Sequence, residues 1–358
     1  MMGTMKDGAY YAPSHEGAHA VEPGTFQFAA AFLDHGHIIG QCNGLCHAGA
    51  TLKWVYDSDP ARVEKFRKKF PSVQIAENFN QVLDDPLVQL VASAAIPNKR
   101  AEIGCQVMKA GKHYFTDKSP FTSLEQLDDV KRVIGLTNRK YMVYYAERLH
   151  NDAAWIAGDL IAGGAVGRVL HILNIAPHRL ALDTRPEWFL DKTYYGGILT
   201  DIGSHQAEQF LAYAGCSDAC INFARAKNVH HSNAPGLQDF GEFAMTGCNG
   251  ASFYSRVDWF SPEGLRTWGD GRTFILGTDG TMELRKYVDI AREAPASKLF
   301  LVNADGEQEI DCLGCSGFPF FGRFILDCVN ETELAMTQAH ALKAAELSMR
   351  AQKLADEN

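Results

Sequence analysis

No stretch of this 358-residue chain strings together the roughly 20 apolar residues that a membrane-spanning helix requires. Basic charge is also short: 34 Lys and Arg stand against 43 Asp and Glu, a formal net charge of -9. Nucleic-acid phosphates call for the opposite balance, so a nucleic-acid partner is not expected. Cys312 and Cys315 form a CxxC, but no second pair follows at zinc-finger spacing, which argues against a structural zinc. Internal repeats and low-complexity segments are missing too. The amino-terminal stretch MMGTMKDGAYYAPSHEGAHAVEPG lacks the apolar core of a secretion signal and reads as a flexible or surface-draped arm. Nine scattered cysteines, an odd number, suit a reduced, soluble, cytoplasmic protein, with Cys42, Cys46, Cys216 and Cys220 as small buried apolar residues.

What is present is enough hydrophobic residue, 46%, to build a core, and at this length two domains are the default. From Phe26 short apolar runs alternate with amphipathic ones. FQFAAAFL (26–33), TLKWVYD (51–57), LVASAAI (90–96), HYFTDK (113–118) and KYMVYY (140–145) read as strands, with helices between them. This alternation predicts an α/β, doubly wound parallel sheet, a Rossmann-type domain over 26–147 behind an arm at 1–25. The remainder, 148–358, reads differently. After one helix come VLHILNIA, INFARAKNV, GEFAMTG, ASFYSRVDWF, RTFILGT and GTMELRKY, separated by turn signals such as CNG (248–250) and TDG (278–280). An α+β domain with a large, mostly antiparallel open sheet is expected there, closed by a helix over roughly 337–355.

Two stretches carry chemistry. In YYGGILTDIGSHQAEQFLAYAG (194–215), a helix beginning near Ile202 sets Ala207, Phe210, Leu211 and Ala214 in one stripe, about 180° from His205 by the 100° step per residue. Asp201 falls about 40° from His205 by the same arithmetic, on the polar side. Either the pair works together, or Asp201 or Thr200 caps the helix and His205 faces water. The preceding glycines favour the first reading, as bare backbone where a ligand comes close. The second stretch, HYFTDKSP (113–120), places Lys118 at the carboxyl end of a strand, the edge where open α/β sheets hold ligands.

Together these stretches resemble the glucose–fructose oxidoreductase and inositol dehydrogenase family (Gfo/Idh/MocA). Gly196, Gly197, Asp201, Gly203 and His205 match its G-G-x-x-x-D-x-G-x-H motif, and Lys118 matches the lysine of its E-K-P motif, with Asp117 and Ser119 in the flanking places. IPNKRAEIGCQVMKAGKHYFTDK (96–118), AGGAVGRVLHI (162–172), RPEW (185–188) and GTDGTMEL (277–284) extend the likeness. The resemblance implies hydride transfer between NAD(P) and a secondary alcohol of a sugar, cyclitol or related polyol. It implies His205 as general base, Lys118 at the reacting oxygen and Asp201 as orienting acid. Redox-neutral sugar chemistry with tightly held NAD, and a non-catalytic binding or regulatory role, are the alternatives.

The dinucleotide fingerprint G-x-G-x-x-G is altered: Phe32, Asp34 and His37 stand at its three glycine positions, with Gly36 and Gly40 out of step. Cofactor contacts are expected from Asp34, His35, Gly36, His37 and Ile38 of this turn, from Ala95, Pro97 and Asn98, and from Asp117 and Lys118. Asp57, at the end of the second strand, suits ribose hydroxyls, so NAD is preferred over NADP, with Arg62 nearby weakening that preference. Glu147 and Arg148 stand where family members contact substrate or nicotinamide. His178, Arg179, Trp188 and Tyr195 lead into Asp201 and offer the aromatic and hydrogen-bonding groups a sugar site uses. His230 and His231, read as neighbours on a strand, point to opposite faces, and no metal is expected. A homodimer or homotetramer through the open sheet of the second domain completes the expectation.

Overall fold

A computed structural model describes residue 8 and residues 19–292 and 296–358. The expected arm at 1–25 lies mostly outside these residues. The described chain divides into two units. Among the described residues, the first comprises 19–144 together with 317–341, and the second comprises residue 8, 145–316 and 342–358.

The first unit carries β1 (Gln27–Ala31), α1 (His37–His47), β2 (Thr51–Tyr56), α2 (Pro60–Arg67), β3 (Gln74–Ile75), α3 (Phe79–Asp84), β4 (Val88–Ser93), α4 (Arg100–Lys109), β5 (His113–Asp117), α5 (Leu124–Thr137) and β6 (Tyr141–Tyr144). The sheet order is β3-β2-β1-β4-β5-β6, every pair parallel. This is the doubly wound order in which the chain reverses direction beside β1, so the carboxyl ends of β1 and β4 flank a crevice. Both faces of this sheet are covered. Phe28 and Ala29 to Ala31 are fully buried, which is why these strands read as continuous apolar runs.

One late segment belongs to this unit. Residues 317–341, expected within the second domain, include a helix (Pro319–Asn330) whose Phe320, Phe321 and Phe324 meet Phe115 of β5. Phe321 presses on α1 where Gly44 leaves room: a Cβ there would sit 2.2 Å from the ring. The pairing joins residues more than 200 positions apart and left no local mark in the sequence.

The second unit begins with α6 (Ala146–Leu149), α7 (Asp152–Ala162) and β7 (Val169–Pro177), followed by α8 (Lys192–Tyr195), α9 (Ile198–Asp201) and α10 (Gly203–Ala214). Seven more strands follow: β8 (Ala219–Lys227), β9 (Phe240–Gly247), β10 (Ser252–Asp258), β11 (Arg272–Gly277), β12 (Gly280–Arg285), β13 (Lys298–Asn303) and β14 (Gly306–Asp311). The eight strands form one sheet, β14-β13-β12-β11-β7-β10-β9-β8, antiparallel except between β7 and β10. The β13–β14 hairpin goes unnamed in the sequence reading, although Asn303 to Gly306 is an ordinary turn signal. Residues of β9 and β10 alternate buried and half-exposed, and on the covered face Phe253 meets both Phe243 and Phe210 of α10.

Candidate active site

The motif Gly196 to His205 folds as two helices with a break. Gly196 and Gly197 take φ of 85° and 97°, a region that side chains resist, and α9 starts directly after them. Neither Asp201 nor Thr200 caps a helix. The open N–H groups of α9 are met from far along the chain: Ile198 donates to Gln238 Oε1 and Leu199 to Gln352 Oε1, both at 3.0 Å. The glycines thus serve backbone conformation and the close approach of Gln352, since a Cβ on Gly197 would sit 2.3 Å from that side chain.

The break lies between Asp201, last residue of α9, and Gly203, first of α10, and both chemical side chains are buried there: Asp201 is 7% exposed and His205 3%. A His205 in water is therefore overturned. The helix is not amphipathic in its surroundings, because Gln206, Glu208 and Gln209 on its polar side are as buried as Phe210. His205 packs edge-on to Tyr145, ring centroids 6.1 Å apart, and its carbonyl accepts from Gln209 Nε2.

Around this helix runs a polar network that the sequence did not foretell. Glu147 Oε2 accepts from Lys286 Nζ at 3.0 Å and from Gln206 Nε2 at 3.1 Å, while Lys286 also donates to Gln209 Oε1 at 2.6 Å. His178 Nε2 lies 3.5 Å from Glu147 Oε1, and its ring leans on Trp268 and Trp259. Burial alone would raise the Glu147 carboxyl, yet Lys286, His205 and His178 hold it well below the carboxylate range. Glu147 and His178, both expected at the site, are brought together. Lys286 joins them from just past β12, a place with no sequence signal.

Other expected substrate contacts have structural work of their own. Arg148 grips Glu208 with Nε at 2.7 and 2.9 Å from its two oxygens, tying α6 to α10. Arg179, buried, donates to the carbonyls of Leu265 and Thr267 and pairs with Glu263. Tyr195 accepts from Gln238 N–H through its hydroxyl and donates to Gly236 O. Trp188 is half-buried and packs edge-on against Phe189.

In the first unit Lys118 follows β5 and is buried, and its peptide bond to Ser119 is cis. Beside it Asp117, 1% exposed, is the hub of the altered turn. Its Oδ1 accepts from Lys118 N–H at 2.8 Å and lies 2.9 Å from His37 Nδ1. Its Oδ2 lies 3.2 Å from Arg100 Nη2 and 3.5 Å from His35 Nδ1. Burial would raise this carboxyl, but His37 and Arg100 pull it far down. Arg100, another residue missed by the sequence reading, also donates to Ala95 O and Ser119 O.

The turn keeps the backbone path of a glycine fingerprint, for Phe32 holds φ at 58° where glycine is usual. The Phe32 ring packs against Tyr56 and Phe79. His35 N–H and Ala94 N–H bond across to Ala94 O and Phe32 O, joining the turns after β1 and β4. Asp34 pairs with Arg62 at 2.6 Å, and burial nevertheless raises its carboxyl. Asp57 already accepts from Leu33 N–H, Asp59 N–H and Arg62. A carboxylate has about four acceptor positions, so one remains for a ribose hydroxyl. The ribose end of a dinucleotide fits. At the pyrophosphate, contact would come from the His35 and His37 rings and the start of α1 at Gly36 and Ile38, not from bare glycine backbone. After β4, Ala95 and Pro97 are buried, and Asn98 O accepts from Gln126.

Two smaller expectations are corrected. Cys42 and Cys216 are buried, but Cys46 is half-exposed and Cys220 exposed. His230 and His231 lie past the end of β8 in a loop, where both N–H groups and the His231 ring bond Asp239. Among the described residues no helix is long and apolar enough to cross a membrane.

Sequence comparisons match residues 34–145 to a family described as oxidoreductases with an NAD-binding Rossmann fold, and residues 156–283 to the GFO/IDH/MocA C-terminal domain. A solved structure from Erwinia carotovora atroseptica SCRI1043, provisionally classed as an oxidoreductase, is 45% identical. It superposes with a TM-score of 0.89 over 92% of this chain and 98% of that one. Levoglucosan dehydrogenase in complex with NADH and L-sorbose is 17% identical and shares the fold, TM-score 0.76, over 93% of this chain and 97% of its own. A curated relative, scyllo-inositol 2-dehydrogenase (NADP(+)) IolW of Bacillus subtilis, is 24% identical over 44% of each chain. The matched stretch spans less than half the length of such curated relatives.

Proposed function

The chain belongs to the Gfo/Idh/MocA family of oxidoreductases, and from that premise we propose that it transfers hydride between NAD or NADP and a secondary alcohol, or the matching ketone, of a sugar, cyclitol or related polyol. The observation that carries the reading is the buried Asp201 and His205 at the adjoining ends of α9 and α10, in a full copy of the family motif. Names of relatives point the same way, one to scyllo-inositol with NADP(+) and another to D-xylose.

When bound, the nicotinamide takes or returns the hydride. The chain's own residues handle the proton and the charge. His205 accepts the hydroxyl proton, a task suited to an imidazole, which titrates near neutral pH. Asp201 orients that exchange. Lys118 donates from Nζ to the reacting oxygen and stabilises its developing negative charge. Glu147 and His178 supply polar contacts to substrate hydroxyls. Asp57, with one acceptor position open, favours NAD, and Arg62 beside it leaves room for NADP. A cytoplasmic setting accords with nine free cysteines.

The test is nicotinamide absorbance with purified protein and a panel of polyols. His205→Ala should lower turnover by about 10²–10⁴. Full turnover by that variant rejects the role of His205, and no turnover of any polyol by wild type with either dinucleotide rejects the activity.

A further inference from the structure

We infer that His35, His37 and Asp117 form a binding site for a first-row divalent cation such as Zn²⁺, Mn²⁺ or Fe²⁺. One ligand atom from each residue lies within 4.8 Å of the others, a grouping found here among the described residues. His37 Nδ1 stands 2.9 Å from Asp117 Oδ1 and His35 Nδ1 3.5 Å from Oδ2. Metal–ligand bonds of about 2.0–2.2 Å set neighbouring donors of a tetrahedral or octahedral ion roughly 2.9–3.5 Å apart, the range of these two histidine–aspartate separations.

The local chain explains the grouping. Gly36 separates the histidines in the turn after β1, and their rings meet edge-to-face with centroids 4.2 Å apart. Asp117 arrives from the end of β5, two strands away. Hydrogen bonding then identifies the form of His35. His37 N–H lies 3.3 Å from His35 Nδ1 and donates to it, so that nitrogen carries a lone pair. A cation would take that lone pair in place of the His37 N–H, with Asp117 Oδ2 3.5 Å away as the neighbouring donor. On the other side, a metal would replace the proton that His37 shares with Asp117.

The outer partners suit the role. Arg100 holds Oδ2 of Asp117 while anchored to the carbonyls of Ala95 and Ser119, so it fixes the carboxylate with Oδ1 toward His37 and Oδ2 toward His35. Two imidazoles and one carboxylate suit Zn²⁺, Mn²⁺ or Fe²⁺ better than Ca²⁺ or Mg²⁺, which prefer oxygen. The histidine side chains are 14% and 15% exposed against 1% for Asp117. The remaining coordination positions thus open outward, to water or to an anionic oxygen.

Metal content settles it without dinucleotide or turnover, so failure here is separate from failure of the proposed activity. The full chain, freed of any histidine tag, is stripped with chelator and dialysed against micromolar Zn²⁺, Mn²⁺ or Fe²⁺, then assayed by mass spectrometry for metal. Co²⁺ loading is followed by its visible absorption. About one ion per chain is expected in wild type and in His231→Ala, whose ring pairs with Asp239 instead. Loss of a direct ligand in His35→Ala or His37→Ala should weaken binding by about 100-fold or more, beyond the roughly 10–100-fold of an outer-partner change. Circular dichroism confirms that the variants fold, and these half-exposed turn positions avoid the risk carried by the buried Asp117→Asn. Folded wild type that retains no metal, or variants that bind as wild type does, overturns the inference and leaves a hydrogen-bonded turn.

Discussion

Glu147 and Lys286 form an ion pair almost wholly out of water, their side chains 3% and 0% exposed. Such pairs contribute little net stability when intact, but removing one partner strands a buried charge. Lys286→Met should therefore destabilise the protein by about 3–5 kcal/mol. The check is a urea unfolding curve, and a loss below about 1 kcal/mol would show that Glu147 finds another partner or takes up a proton. The pair also fixes Gln206, next to His205, and Gln209, one turn beyond it, so the variant should lose turnover along with stability. Asp117 shows the same logic in the other unit. One carboxylate is held by Arg100, the Lys118 N–H and the His37 imidazole, with the His35 ring beside it.

At the scale of elements, the motif glycines do conformational work. Gly197, with φ of 97°, lets α9 begin while Gln352 closes over it to cap Leu199. Gly197→Ala adds a methyl 2.3 Å from that side chain and a strained backbone costing about 1–3 kcal/mol. A lower thermal midpoint by several degrees is expected, and an unchanged midpoint would mean that α9 and Gln352 adjust freely. Because α9 ends on Asp201, loss of its cap should also blunt whatever Asp201 does. The helix of His205 teaches a related lesson. Its apolar stripe is real, but its polar side is buried as well, against α6 and the network of Glu147.

For the whole molecule, the outer face of the eight-stranded sheet matters most. Register places Phe223, Ala244, Tyr254, Leu173, Phe274, Glu283 and Phe300 in one row across it. Leu276 and Val302 lie in the row beside, and Phe223, Phe274, Leu276 and Val302 are exposed. Apolar side chains spread over a sheet face favour burial against a second copy of the chain. Light scattering should find a dimer or larger species that Phe274→Asp shifts toward monomer, and a monomeric wild type would remove the proposal.

The order and type of most elements were legible from local pattern alone, the short β3, the β13–β14 hairpin and the helix Pro319–Asn330 excepted. Buried parallel strands need unbroken apolar runs, and one-sided strands need alternation, so β1, β2, β4, β5 and β6 and the strands from Val169 to Arg285 announced themselves. The motif around Asp201 and His205 was legible too, because its residues are close in sequence. Only the tertiary structure decided what those side chains face. Lys286 reaches Glu147 across 139 residues, Gln352 caps Leu199 across 153, and Asp117 meets His37 across 80. Such partners are chosen by which surfaces pack together, and no local period of the chain encodes that choice.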